Sequence, residues 1–421
     1  MLSSVAASIL ILCDRLGVLG LCLRDILAEI KPADSDRITR LNAINQFSDY
    51  LRSVQSLRGA VVKPFGSFVS NLYTKWGDLD VSVQLDNGLG NSASKTLKRS
   101  LLRDIMKALR RYGVARYIHF IPNARVPLLI YEGNHHNISF DVSIDNYLGI
   151  MKSKILLWIS QMDERFRDVV LLTKEWAKAQ NINDPKSGTL NSYSLCLMVI
   201  FHFQTCEPPI LPPLGEIYGG NISDDVTGWS SISERHIGDV CAANIERFRS
   251  RNLRRRNQSS LAQLLVSFFD KFSEVETVAS EYAICTHTGR WERIDSNLGW
   301  ARTSRSMLIE DPFERPENAA RTVGPSELRV VSNAFTDAYN KLSSSSVLAN
   351  RNSLISCLTR SRVSSQLGVR PQVHYTTGTA AIDPAAVLGR FENVMRLDRR
   401  SHASTSAVTV SRRANETTYL L

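Results

Sequence analysis

The stretch Pro64-Phe65-Gly66-Ser67, followed at a spacing of eleven residues by Asp78-Leu79-Asp80-Val81-Ser82-Val83-Gln84-Leu85, decides the reading of this chain. Over 78–85 polar and apolar side chains alternate strictly. Asp78, Asp80, Ser82 and Gln84 share one face; Leu79, Val81, Val83 and Leu85 share the other. That period of two predicts a half-buried strand. Two carboxylates side by side repel unless a cation sits between them, and hard oxygen ligands suit Mg²⁺ or Mn²⁺. Gly66-Ser67 follows the apolar run Ala60-Val61-Val62. It predicts a strand that ends in a tight turn and opens a short helix, whose N–H groups and Ser hydroxyl can hold phosphate oxygens. Taken singly, an Asp-x-Asp pair is an ordinary solvated face and Gly-Ser an ordinary turn. Their conjunction points to nucleotide chemistry.

A second alternating run, Ile138-Ser139-Phe140-Asp141-Val142-Ser143-Ile144, places Asp141 on a polar face. Paired beside the first strand, it would bring a third carboxylate to the site, enough to hold two metals against a triphosphate. Left alone, it is a solvated aspartate. Between these runs lie a basic helix from about Lys95 to Tyr112 and strand candidates at Tyr117–Ile121 and Val126–Tyr131.

Around this α/β portion the pattern is helical. Ile26, Leu27 and Ile30 precede Pro32, and Ile38, Leu41, Ile44, Phe47, Leu51 and Val54 continue one apolar face. After Asn146 come segments 152–162 and 165–179 and the apolar helix 192–203, which the prolines at 208, 209, 212 and 213 end. Lys174 and Lys178 share a helix face, as a solvated basic pair or as two ammonium groups for phosphates. Residues 215–235 read as a loop. Two helices are expected over 239–280, joined by a connection carrying Arg247, Arg249, Arg251, Arg254, Arg255 and Arg256, either a solvated linker or a contact for phosphate backbone.

The composition bounds the class. At 421 residues with 43% hydrophobic content the chain supports two or three domains with real cores, and it is neither fibrous nor disordered. A net charge of +10 favours a polyanionic partner. Seven scattered cysteines without metal spacing read as reduced thiols of an intracellular protein. The apolar N-terminus is interrupted by Asp14 and Arg15, so we expect a core-packing or poorly ordered extension rather than an anchor, and no stable membrane association. Beyond residue 342 Ser, Thr and Arg dominate, and a mostly disordered basic tail is expected.

These residues resemble the polymerase β-like nucleotidyltransferases, in their noncanonical poly(A) polymerase and terminal uridylyltransferase branch. The markers are Phe65-Gly66-Ser67, Trp76-Gly77-Asp78-Leu79-Asp80, Asp141, Lys174-Glu175-Trp176-Ala177-Lys178, Gly188-Thr189-Leu190-Asn191-Ser192-Tyr193-Ser194, Ile309-Glu310-Asp311-Pro312-Phe313-Glu314 and Arg321-Thr322-Val323. Within the branch, Val199-Ile200-Phe201-His202-Phe203-Gln204-Thr205-Cys206 and Gly289-Arg290-Trp291-Glu292 look like the plant small-RNA uridylyltransferases.

The resemblance implies an enzyme that adds uridines from UTP to single-stranded RNA 3′ ends without a template. Asp78, Asp80 and Asp141 are then the catalytic and metal-binding carboxylates for Mg²⁺ or Mn²⁺. Gly66, Ser67, Lys174, Lys178 and Ser192 contact the triphosphate, Asn146 and Ser153 lie near the ribose, and Tyr193 stacks on uracil; the other reading of Tyr193 is a core aromatic. Asp311 and Glu314 contact the base or its waters. Where some relatives carry a His that favours UTP, this chain has Glu317, which can accept from uracil N3–H and from the adenine amino group alike. The implied substrates are miRNA or siRNA lacking a 3′ 2′-O-methyl group. The implied partners include Argonaute-type small-RNA complexes, and the implied place is the cytoplasm, P-bodies included, or the nucleus.

The expected fold is α+β: a nucleotidyltransferase palm of mixed sheet and helices facing a helical poly(A) polymerase-associated domain. The expected division is an extension (1–22), helices packing on the helical domain (23–56), the palm (57–147), the helical domain (148–342) and the tail (343–421). An adenylyltransferase of the same fold is separated from this reading by UTP-against-ATP rates. A non-catalytic RNA-binding scaffold is separated by whether its role survives loss of Asp80.

Overall fold

The computed structural model describes residues 2–85, 93–134, 137–225, 231–251, 256–301 and 305–369. Helix α1 (Leu2–Ile30) opens the chain. Leu19, Leu23, Ile26 and Ile30 recur along one face and are fully buried, with Cys22 and Leu27 beside them. The boundary expected at residue 22 therefore falls inside one continuous helix, whose second half belongs to the main core. No helix among the described residues is long and apolar enough to cross a membrane.

Helix α2 (Asp34–Arg52) corrects the expected assignment of 23–56. Its buried face, Ile44, Phe47 and Leu51, joins the core under the sheet rather than that of the helical lobe. Phe47 sets the attachment, its ring lying 5.6 Å from that of Tyr131 and 5.8 Å from that of Phe140.

The palm sheet has the order β1-β2-β5-β4-β3. Its strands are β1 (Val61–Pro64), β2 (Leu79–Gln84), β3 (Ala115–Ile121), β4 (Leu128–Gly133) and β5 (Ser139–Ile144). Only the central β2–β5 pair is parallel; the other neighbours are antiparallel. The one-turn helix α3 (Gly66–Val69) follows β1, and α4 (Lys95–Arg111) covers the sheet with Leu101, Leu102, Ile105 and Leu109. β2 departs from the expected half-buried strand: Ser82 and Gln84, on its polar face, are buried as well. Ser82 Oγ accepts the backbone N–H of Asn146 at 2.9 Å, so a hydrogen bond takes the place of water on that face.

The helical lobe contains α5 (Tyr147–Ser160), α6 (Glu164–Ala179) and α7 (Ser192–Gln204), with helices Ser231–Arg251, Leu261–Phe272 and Pro325–Ser343. Trp176 anchors its core, its ring 4.6 Å from Phe269 and 4.8 Å from Phe335. The loop expected over 215–235 is corrected by single helical turns at Leu214–Ile217 and Ile222–Asp225 and by the helix that starts at Ser231. A hairpin of β6 (Tyr282–Cys285) and β7 (Arg290–Arg293) went unread because its four-residue strands are too short to show a period.

The tail expected from residue 343 is also corrected. Three short helices, Ser345–Leu348, Arg351–Leu358 and Ser361–Gln366, follow Ser343. They bury Leu348, Leu354, Ile355, Leu358 and Val363 in the main core. Helices this short carry too few turns for periodicity to register. The remainder of that expected tail, 370–421, lies outside the described residues.

Candidate active site

A cavity of about 480 Å³ opens between palm and helical lobe. The palm lines it with Gly66, Ser67, Asp78, Asp80 and Asp141; the helices line it with Lys152, Ser153, Lys174, Lys178, Ser192 and Tyr193. Ten of the sequence-predicted residues thus meet in one cleft.

Backbone register places the carboxylates. Asp80 and Asp141 are direct partners on the parallel strands β2 and β5, so both side chains leave the same face of the sheet. Asp78 stands one residue ahead of β2 and is exposed. Burial, with the charges of Asp141 and Asp78 added, pushes Asp80 up to about 7, against the opposing pull of Lys174. Burial and the Asp78 charge push Asp141 up to about 6. These are the shifts of carboxylates that face one another with too little positive charge between them, and a divalent cation is what relieves them. Among the described residues no three His, Cys, Asp or Glu side chains form a ready chelate. Asp80 and Asp141, paired across the strands with Asp78 beside them, are hard oxygen donors of the kind divalent cations take.

Gly66 adopts φ +67°, and a Cβ there would collide with the Asp80 carboxylate, so the turn brings bare backbone against the acid. Its N–H donates to Ser153 Oγ at 2.6 Å, and that hydroxyl donates to Gly149 O at 2.6 Å. Ser153 thus ties the palm turn to α5. Asn146 caps α5 by accepting the Gly149 N–H at 3.0 Å, and Gly149 lines the cleft.

On the opposite wall Lys174 donates to Leu72 O at 2.9 Å. Burial and the neighbouring Lys178 push it down to about 8, and burial lowers Lys178 too. Ser192 opens α7 next to its cap Asn191, so a helix N-terminus with unsatisfied N–H groups faces the cavity.

Tyr193 rests on an ionic network that the sequence did not show. Its hydroxyl donates to Asp311 Oδ1 at 3.0 Å, and burial raises it well above the usual phenol range. Lys152 lies 5.3 Å from the Tyr193 ring centre and pairs with both Asp311 and Glu314. Arg125, from the β3–β4 connection, reaches Glu314 with two N–H groups at 2.6 and 3.0 Å. Arg125 and Lys152 outweigh burial and hold Glu314 below the usual carboxylate range. Asp311 and Glu314, expected to contact the base or its waters, are buried beneath Tyr193 and Lys152 and support both. Glu317 is exposed and off the wall; its backbone N–H and carbonyl bond Glu314 and Asp311.

The arginine cluster stands elsewhere. Arg249 and Arg256 line a separate cavity with Arg165. Arg247 bonds Asn244 in its own helix, Arg251 ends that helix, and Arg254 and Arg255 lie outside the described residues.

Residues 20–161 match the family model of the central palm domain of mitochondrial-like poly(A) RNA polymerase. The chain is 51% identical over 346 residues to Protein HESO1 of Arabidopsis thaliana, covering 82% of this chain and 67% of that one. It is 27% identical over 354 residues to the mitochondrial poly(A) RNA polymerase of Drosophila melanogaster, covering 76% of this chain and 55% of the relative. A solved structure of the Cid1 poly(U) polymerase shares the fold, with a TM-score of 0.62 and 24% identity over 81% of this chain and 98% of that one. A mixed-sheet palm bearing three facing carboxylates against a helical lobe defines a polymerase β-like nucleotidyltransferase. The chain belongs to the noncanonical poly(A) polymerase and terminal uridylyltransferase branch of that family, alongside the plant relative, and is an RNA nucleotidyltransferase. Divalent metals serve that family generally.

Proposed function

We propose that the protein is a template-independent RNA 3′-terminal uridylyltransferase. The observation that carries this reading is the single cleft that joins Asp78, Asp80 and Asp141 to Lys174, Lys178, Ser192 and Tyr193. Mg²⁺ or Mn²⁺ held by the three aspartates would supply the positive charge that acidifies the attacking hydroxyl and neutralises the triphosphate. Asp141 orients the RNA 3′-hydroxyl and takes its proton. The oxygen attacks the α-phosphorus in line, and pyrophosphate leaves against Lys174, Lys178 and the start of α7. Tyr193, braced through its hydroxyl by Asp311, offers its ring to the base.

Small RNAs lacking a 3′-terminal 2′-O-methyl group are the proposed substrates, tailed for decay, with Argonaute-type complexes as partners in the cytoplasm or nucleus. The support is the resemblance to plant small-RNA uridylyltransferases and a crowded carboxylate site that a vicinal methoxy group would obstruct. An adenylyltransferase is the second reading, favoured by Glu317 standing where some relatives carry a UTP-selecting His. The test is 3′ extension of a short single-stranded RNA with each NTP separately, in Mg²⁺ and in Mn²⁺. We expect a U ladder, reduced on the order of 10³-fold or more in Asp78→Ala/Asp80→Ala. An A ladder would transfer the assignment to the second reading, and no ladder with any NTP would leave a scaffold.

A further inference from the structure

The three helices over 345–369 form a strap that reaches the nucleotide-facing helix α6. Glu175 lies on α6 between Lys174 and Lys178, and its side chain is 1% exposed. A carboxylate so buried must be fully paired. Arg360 pairs it: Nε and Nη2 donate at 3.0 and 2.6 Å, and the Arg360 backbone N–H adds a third bond at 3.1 Å. The strap is anchored on both sides. Cys357 O accepts from Gln180 Nε2 at 3.2 Å, and Arg351 Nη2 donates to Asp25 of α1 at 2.8 Å.

Lys178 stands three residues beyond Glu175 on the same helix, a spacing at which Lys and Glu side chains meet. Among the described residues its ammonium makes no close ion pair, although the charges of Asp78 and Glu175 act on it, and it lines the cavity. We infer that Arg360 is a positioning residue of the nucleotide site: by saturating Glu175 it denies Lys178 an intramolecular partner and leaves that ammonium free for the triphosphate. The strap is on this account a working part of the enzyme. The same segment sets Arg362 on the Trp76 ring at 3.7 Å, and Trp76 stands two residues before Asp78.

The inference rests on the uridylyltransferase reading for the identity of the nucleotide, and its test separates the two. UTP affinity in Mg²⁺ and the extension kcat and KM are measured for the full chain and for Arg360→Ala, Glu175→Gln and the double variant, with thermal melts alongside. Arg360→Ala should raise the UTP KM about tenfold, the value of one charge-assisted contact, with kcat changed less than about twofold. Glu175→Gln should keep the KM near wild type, and the double variant should return it there. A KM raised by Glu175→Gln, or not restored in the double variant, overturns the inference, and either outcome is readable even if Arg360→Ala fails to fold. A wild type that binds UTP but does not extend RNA sinks the functional reading while the affinities still decide this one. A wild type that does not bind UTP overturns both.

Discussion

Asp80 and Asp141 are placed by backbone, through a parallel register of five residue pairs. The facing wall is braced by side chains: Arg125 reaches Glu314 across 189 positions of sequence, and Arg360 reaches Glu175 across 185. A hydrogen-bonded ladder fixes its acids however the surface ions vary. A side-chain network can be undone by removing one charge. The palm wall should therefore fail by steric insult, the helical wall by loss of charge.

Among substitutions outside the carboxylates themselves, the largest effect is expected from Gly66→Ala. At φ +67° with Asp80 against the missing Cβ, the added methyl must displace the turn or the carboxylate. We expect RNA extension to fall by on the order of a hundredfold or more, since misplacing a catalytic group by an ångström suffices for that. A melting point and activity near wild type would show that the palm is softer than its register implies.

Arg125→Ala sharpens the comparison from the other side. It removes one partner of a buried carboxylate, though Lys152 remains to pair Glu314. A cost of about 1–3 kcal/mol in stability is expected, read by denaturant unfolding. The UTP KM should rise several-fold as the Glu314–Lys152–Asp311 network beneath Tyr193 loosens, with less change in kcat. A variant that loses kcat alone would place Arg125 in the palm's chemistry instead.

The smallest effect concerns acid. His202, in α7, is 1% exposed, with Nε2 3.0 Å from Leu264 O. Burial and then Lys271 push its pKa down to about 3. The folded pKa lies below the unfolded value near 6.5, so the unfolded chain binds the extra proton as pH falls. The helical lobe keeps this stability above pH 6.5 and loses it from there down towards pH 3, about 2 kcal/mol by pH 5. His202→Gln should flatten that slope in denaturant titrations at pH 7 and pH 5; an unchanged slope would exclude the ring as its source.

The comparison also says what was legible. Strict alternation over 78–85 and 138–144 gave both strands and three acids, because a period of two is written in adjacent residues. Lys174 and Lys178 were legible as a pair on one helix face, Ser192 and Tyr193 through family motifs, and the cavity gathers all four. Arg125 and Lys152 left no local trace: one sits in an aperiodic connection, the other in an apolar helix, and each means something only beside Glu314. Asn146 and Ser153 were found as residues, yet their polar atoms serve the palm–helix junction. Arg360 was lost inside a stretch whose composition imitates a disordered tail.

The bond between Arg125 and Glu314 has a consequence for measurements in salt. The Arg125 side chain is 49% exposed, so mobile ions reach one end of a latch that joins the two walls. Salt also competes for RNA phosphates on a chain of net charge +10. Ionic strength therefore acts twice, on how tightly the substrate is held and on how well the cleft stays assembled around it. The logarithmic fall of turnover with salt should be steeper than that of RNA affinity, and the gap between the two slopes measures the latch.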